Sequence, residues 1–380
     1  MADAELALAA AAPADYCFPN TAFEQEVLEA AVAEAPEDAR AAYYLGCIYY
    51  DRKRHMEAVA CWERSRQADP AFPTVHRNLA LAYYNKQGRP AEALAALEEA
   101  FRLNPADARV LFELDQLHKK LGTAPAERLQ RLQSHMALVR LRDDMYVELV
   151  TLLNLLGKHE EALELLASRR FHPWEGGEGK APGQYVLALL ELAKKHLANG
   201  CAAEAKTALE QALHYPENLG EGKLTGTMDN HIHYYLGLCR QALEQPAEAA
   251  AEFELASLGI AEPAGAMFYN DQPPEMIYYQ GLALAKLGRA EESAARFRRL
   301  VEYGQEHLAD EVRIDYFAVS LPDFLVFDDD LDRRNAIHCR FMMGLGYLGL
   351  GQPEAAAAEL RQALELEPAH AARLFLPSGQ

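Results

Sequence analysis

The sequence predicts an all-α fold, an array of about eight helix pairs with long loops between some of them. Three observations predict it. Related residues recur at intervals of about 34 positions. Each interval reads as two antiparallel helices joined by a tight turn, often with Gly at the turn and Pro closing the second helix. Half of the residues are hydrophobic and 25% are charged, the composition of a globular chain rather than a disordered one.

The elements follow in order. Residues 1–20 read as a tail, and residues 21–36 as a lone second helix ending at Pro36. The unit 39–72 carries Leu45-Gly46, Tyr49, Ala58, Trp62 and Pro70. The next carries Leu79-Ala80, Tyr83, Gly88, Ala93, Leu97, Ala100 and Pro105, and a weaker one runs from Val110 through Leu114 and Gly122 to Arg140. Then come Leu149, Gly157, Ala162 and Leu166, followed by Leu192-Ala193, Gly200, Ala205, Leu209 and Ala212. Leu236-Gly237, Ala249 and Phe253 mark another unit, and Gly281, Leu284, Gly288 and Phe297 the one after it. Gly344, Tyr347, Gly351, Ala356, Leu360, Ala363 and Pro368 form the last. Small residues such as Gly46 and Gly237 let helices approach, and large ones such as Trp62 and Phe253 fill the gap. One unit cannot bury its apolar face, so stacking supplies the core.

The L-G…Y…A…F…P pattern of these units resembles the tetratricopeptide repeat. The resemblance implies a right-handed superhelical α-solenoid and the usual family role, binding another polypeptide in the concave groove. The expected organisation is a tail over 1–20, N-terminal repeats over 21–140 and central repeats with Gly/Glu-rich loops over 141–300. A long insertion over 301–336, a C-terminal repeat over 337–370 and a tail over 371–380 complete it.

Charge and composition exclude other classes. The formal net charge is −20 with no basic block, so a nucleic-acid partner is not expected. No stretch approaches the roughly 20 apolar residues of a membrane span. The opening MADAELALAAAAPADY lacks a basic n-region and makes a poor signal peptide. The six cysteines are widely spaced and form no C-x-x-C pair, as in reduced, mostly buried thiols of a cytoplasmic protein. His231 and His233 point apart on a helix, and no third ligand stands at metal spacing, so neither metal nor cofactor is expected. The run Asp328-Asp329-Asp330 reads as a solvated acidic turn.

Four connections, at about 174–185, 217–229, 260–274 and 301–336, exceed the usual two to eight residues. All follow the second helix of a unit, so they emerge on one face. The first two both contain G-E-G-K, 43 positions apart. Neither is a phosphate loop. That loop needs G-x-x-x-x-G-K-[ST] after a strand, and here Trp174 and Ala181, or Glu217 and Leu224, stand at the defining places. The loops nonetheless gather polar and aromatic groups: His172, Trp174, Glu175, Glu178, Lys180 and Tyr185 in the first. The second holds Glu217, Asn218, Glu221, Lys223, Asp229, Asn230 and His231, and the third Tyr269, Asn270 and Asp271. Three roles stay open. The loops could line a glycan or partner site, where an aromatic face stacks on C–H groups and carboxylates accept hydroxyl hydrogen bonds. Paired carboxylates such as Glu178 and Glu221 could do acid/base work. Or the loops are structural, with Gly in turns, Trp plugging a seam and Asp229 or Asn230 capping the next helix.

Concave-face positions lie on the first helix of each unit. They hold Arg40, Tyr43 and Tyr50, then Arg77, Tyr84 and Asn85, and later Tyr234, Tyr278 and Phe341. This does not match the Lys/Asn carboxylate clamp of chaperone-binding relatives. An aromatic lining suits an extended peptide, a partner helix or a loop, although any one ring could instead pack within the solenoid.

The strings DYCFPN, TVHRNLALAYYNK, FELDQLHKKLG, HPWEGGEGK, YPENLGEGKL and DYFAVSLPDFLVFDDDLDRRN are not general repeat features. They look like the C-terminal repeat region of large bacterial proteins that also carry a mutarotase-like β-sandwich domain of unknown function. That resemblance implies a link to carbohydrate metabolism and a β-sandwich domain as a partner. The expected function is a non-enzymatic scaffold that binds a protein, a peptide or such a domain through its groove and loop face. The alternative is a carbohydrate-active or glycan-binding protein, with loops 172–185 and 217–231 lining the site.

Overall fold

A computed structural model describes residues 2–12, 14, 17–174, 176–265, 272–313 and 326–376. Every regular element among them is helical. The chain divides into two compact units, residues 1–121 with 325–328, and residues 122–324 with 329–380.

The first unit contains α1 (Ala2–Ala11), α2 (Ala22–Glu34), α3 (Ala39–Asp51), α4 (His55–Ala68), α5 (Pro73–Gln87), α6 (Pro90–Leu103) and α7 (Ala108–Lys120). The expected tail therefore begins with a helix, while α2 stands where a lone second helix was expected. α2 starts at a capping box: Thr21 accepts the Glu24 amide, and the Glu24 carboxylate accepts the Thr21 amide. α3 packs on α4 and α5 on α6. The second unit contains α8 (Pro125–Ser134), the single turn α9 (Met136–Val139), α10 (Asp143–Leu155) and α11 (His159–Ala167). It continues with α12 (Lys180–Ala198), α13 (Ala202–Ala212), α14 (Asn230–Ala242), α15 (Pro246–Ser257), α16 (Pro274–Lys286) and α17 (Ala290–His307). It ends with α18 (Leu331–Gly349), α19 (Pro353–Leu366) and a 3₁₀ turn at Ala371–Phe375, where a tail was expected.

Pairing comes from the turns. Between α10 and α11 the Lys158 amide returns to the Leu153 carbonyl at 2.9 Å, and the same bond recurs from Gln245 to Arg240 and from Gln352 to Tyr347. It satisfies carbonyls that a helix end leaves orphaned. Close packing within a pair comes from a Gly on the first helix facing a large side chain on the second. A Cβ at Gly46 would lie 2.5 Å from Trp62, and one at Gly281 2.5 Å from Phe297; Gly237 faces Phe253 and Gly344 faces Leu360 in the same way. Successive pairs then stack, so that in the second unit α10, α12, α14, α16 and α18 touch in sequence and form a first-helix face. In the first unit α5 is tied to α7 by a buried ion pair, with Arg77 donating twice to Glu113 at 2.6 Å.

Candidate functional site

Two first-helix faces and one loop pair hold the residues singled out in the sequence. In the first unit the face of α3 and α5 already grips a piece of chain. Asn85, near the end of α5, uses both ends of its amide: Nδ2 donates to the Val326 carbonyl at 2.9 Å, and Oδ1 accepts the Asp328 amide at 2.9 Å. The residue between them, Phe327, is only 2% exposed and packs edge-on against Tyr84, with ring centroids 5.1 Å apart. Lys86 closes the contact through an ion pair of 2.9 Å to Asp328. That hydrogen bond raises the Lys86 ammonium above the ordinary lysine value, against a smaller loss from desolvation. Val326 and Phe327 join the same apolar cluster as Tyr50, Leu81 and Tyr84.

The other groove positions of this unit are turned inward or engaged. Tyr43 is buried against Phe72, and Arg40 lies 3.6 Å over the Phe72 ring. Tyr50 stacks between Trp62 and His55. Arg77 is held in its pair with Glu113.

In the second unit Tyr234, Tyr278 and Phe341 belong to one aromatic surface with Tyr235, Tyr279 and Phe375. Ring centroids are 5.8 Å apart for Tyr234 and Tyr279, 6.0 Å for Tyr278 and Phe375, and 5.5 Å for Phe341 and Phe375. Phe375 is supplied by the C-terminal 3₁₀ turn. Lys194, paired with Glu191, lies 5.5 Å from the Tyr235 ring and 5.8 Å from Phe375. Burial pushes the phenols of this cluster up, Tyr278 to about 12. His231 leans on Tyr279, and its Nδ1 is buried with no hydrogen-bond partner among the described residues. Burial, then the nearby charges of Lys194, Lys223 and His233, hold its pKa down at about 3. His233 instead meets Glu252 at 2.8 Å, so the two histidines of the H-x-H pair occupy different surroundings.

The two G-E-G-K loops touch. Glu221 of the second copy accepts the Gly179 amide of the first at 2.8 Å, just before α12 starts. The Phe171 amide donates to the Asn218 carbonyl at 2.7 Å, while the Asn218 side chain donates to the Leu166 and Arg169 carbonyls. Gly220 is required here: its φ is +81°, and a Cβ would stand 2.6 Å from the Phe171 carbonyl oxygen. Gly177 lies under the Trp174 ring. Lys180 reaches back to the Gly176 carbonyl, and Lys223 pairs with Asp229 at 2.7 Å. His172 is exposed beside Asp143, and Glu178 and Glu217 are exposed. Tyr185 lines a shallow depression of about 460 Å³ with Thr207, Glu210, Gln211, His214, Tyr215 and Pro216.

One expectation is corrected. Neither Asp229 nor Asn230 caps α14 through its side chain. Asp229 is drawn to Lys223, and Asn230 donates to the Ala256 and Leu258 carbonyls at the end of α15. Orphan carbonyls of the neighbouring helix outcompete the local amides. Glu175, Tyr269, Asn270 and Asp271 lie outside the described residues. Among the described residues no three His, Cys, Asp or Glu side chains converge on a metal-sized site, and no helix is long and apolar enough to cross a membrane. All six cysteines are free; Cys239 and Cys339 are buried, and burial pushes each thiol up to about 11.

Sequence reasoning missed Val326, Phe327, Lys86 and Phe375. The available signal for the first two was the apolar run Phe324-Leu325-Val326-Phe327 inside an acidic insertion.

These features define a helical-repeat protein whose first-helix face holds a non-helical segment of its own chain. Part of this array matches the tetratricopeptide repeat: a TPR repeat family model matches residues 46–87, and a tetratricopeptide repeat model matches residues 25–60, 84–133 and 341–376. The fold is similar to that of YrrB, described as a TPR protein with an unusual peptide-binding site, at 16% identity over 61% of this chain and 91% of that one, with a TM-score of 0.34. It is similar to a tetratricopeptide repeat protein from Parabacteroides merdae at 17% identity, over 68% and 91% of the two chains, with a TM-score of 0.34. It is also similar to a chain of the Naa15/Naa10 complex bound to HypK-THB at 11% identity, over 92% of this chain and 61% of that one, with a TM-score of 0.41.

Proposed function

We propose that this chain is a non-enzymatic scaffold that binds another polypeptide along the first-helix face of its repeats. Tetratricopeptide repeats generally serve protein–protein interaction, and the observation that carries the reading here is the grip of Tyr84, Asn85 and Lys86 on a non-helical segment of backbone. A side-chain amide that pairs with a backbone carbonyl and a backbone amide at once is a peptide-binding device, because it reads main chain whatever the side chains are. The test is capture of partners by the full chain, with cross-links mapped by mass spectrometry. Cross-links are expected on α3, α5 and α7 or on the α12–α18 face. Cross-links confined to α4, α6, α13 and α15 would overturn groove binding, and retention of nothing above a control protein would overturn the scaffold.

The mutarotase-like β-sandwich domain suggested by the loop strings is the partner to try first, by gel filtration of the two purified proteins. The glycan reading of loops 172–185 and 217–231 rests on composition. Asn218, Glu221, Lys223 and Asp229 spend their polar atoms within the loops, so no observation favours it.

A further inference from the structure

We propose that Tyr84, Asn85 and Lys86, with Tyr50 beside them, read a peptide of the form aliphatic–aromatic–Asp, and that the chain's own Val326-Phe327-Asp328 fills this subsite in cis. The proposal deepens the scaffold reading by naming the partner's chemistry.

Each of the three positions is read by a different force. The Asn85 amide brackets residue 327 from one edge of the backbone. The backbone bends at Val326 and Phe327, and the bend brings the carbonyl before residue 327 and the amide after it within reach of one side chain. The bracket therefore selects a bent backbone and fixes which residue sits at its centre. Val326 and Phe327 both pack into the apolar cluster of this unit. Phe327 is 2% exposed, which makes it the anchor. Tyr84 meets it edge to face, a geometry that adds selectivity for a ring over an aliphatic residue. The third position is read by charge. Lys86 pairs with Asp328 beside Tyr50, and the Asp328 side chain is 58% exposed. An exposed pair adds little affinity but penalises a basic residue there.

Residues 326–328 belong to the same compact unit as Asn85, although about 240 positions separate them in the chain. A tethered segment of this kind acts at an effective concentration on the order of millimolar. An outside peptide must compete with it, so the subsite opens only to a partner that binds better than Val-Phe-Asp or brings further contacts along the groove.

The test uses the full chain and a fluorescein-labelled peptide FLVFDDD, the sequence of residues 324–330. Anisotropy should show the Phe327→Ser, Asp328→Ser double variant binding the peptide at least tenfold more tightly than wild type does. Adding Asn85→Ala to that variant should weaken binding at least tenfold. Lys86→Glu in the same background should prefer a peptide in which the Asp corresponding to 328 is Lys. Because Phe327 is buried, the exposed single variant Asp328→Lys serves as a control for folding, and it should bind at least threefold more tightly than wild type. Equal binding by wild type and both variants, with melting curves intact, would mean that the segment is a structural strap, and it overturns the proposal. Tighter binding that ignores Asn85 and Lys86 overturns the assigned subsite. Failure of the peptide with partner capture retained rejects the segment chemistry alone; loss of capture with the peptide bound rejects the scaffold alone.

Discussion

Gly281 and Phe297 show how much of this fold rests on single atoms. The space a methyl group would need at Gly281 is taken by the Phe297 ring, 2.5 Å from the ideal Cβ. Gly281→Ala should lower stability by about 1–3 kcal/mol in urea unfolding, and Phe297→Leu in the same chain should restore part of it, since the two side chains compete for one volume. Glu244 makes the opposite case. It holds φ at +60° in the turn where the next pair uses Gly288 at +77°, with matching return bonds to Arg240 and Leu284. Glu244→Gly should therefore raise the melting temperature, the gain being about 0.5 kcal/mol once the added entropy of the unfolded chain is subtracted. His231 sets a pH dependence. Its folded pKa is about 3 against an ordinary value of 6.5. Between those values the unfolded chain binds a proton that the folded chain refuses. Stability from this site is thus full above pH 6.5 and falls by about 1.4 kcal/mol for each pH unit below it, down to about pH 3. Urea midpoints of wild type and His231→Phe should converge as pH rises and separate as it falls toward 4.

At the scale of elements, the paired loops before α12 and α14 work as one brace. Glu221 supplies an acceptor to an amide at the start of α12, where a helix has unpaired donors and partial positive charge. Glu178 occupies the same place in the other G-E-G-K copy and is exposed. Glu221→Ala should cost about 0.5–1 kcal/mol in thermal unfolding, while Glu178→Ala should leave the midpoint within error. Equal effects of the two would remove the brace. The repeated tetrapeptide is therefore one string put to two uses: its first Gly admits Trp174 in one copy and the Phe171 carbonyl in the other, and only one of its glutamates bonds across.

At the scale of the molecule, each compact unit carries a phenylalanine of its own chain on its first-helix face, Phe327 in one and Phe375 in the other. Phe327 comes from the insertion before α18, and Phe375 from the 3₁₀ turn after α19. Such faces expose aromatic surface when empty, and a covered ring lowers the hazard of association. Net charge acts in the same sense. At −20 near pH 7 the chains repel one another, and the charge vanishes near the pI of about 5.1. Light scattering across pH 4–8 should show a solubility minimum close to pH 5 that moves little in the Asp328→Lys variant.

What the sequence determined by itself was periodic and local. The helix pairs, their turns at Gly157 and Gly351, and the Gly46–Trp62 and Gly237–Phe253 contacts follow from spacings within one unit, where a few residues and helix geometry suffice. The tertiary structure alone decided which polar and aromatic groups stay available. Tyr43 and Arg77 stand at groove positions in the pattern, yet Phe72, just before α5, and Glu113 on α7 claim them. Asn230 looks like a cap and serves the end of another helix. Asn85 meets Val326 and Asp328 from the far end of the chain. Contacts of that range are set by how stacked units and insertions close on one another, and no local period encodes them.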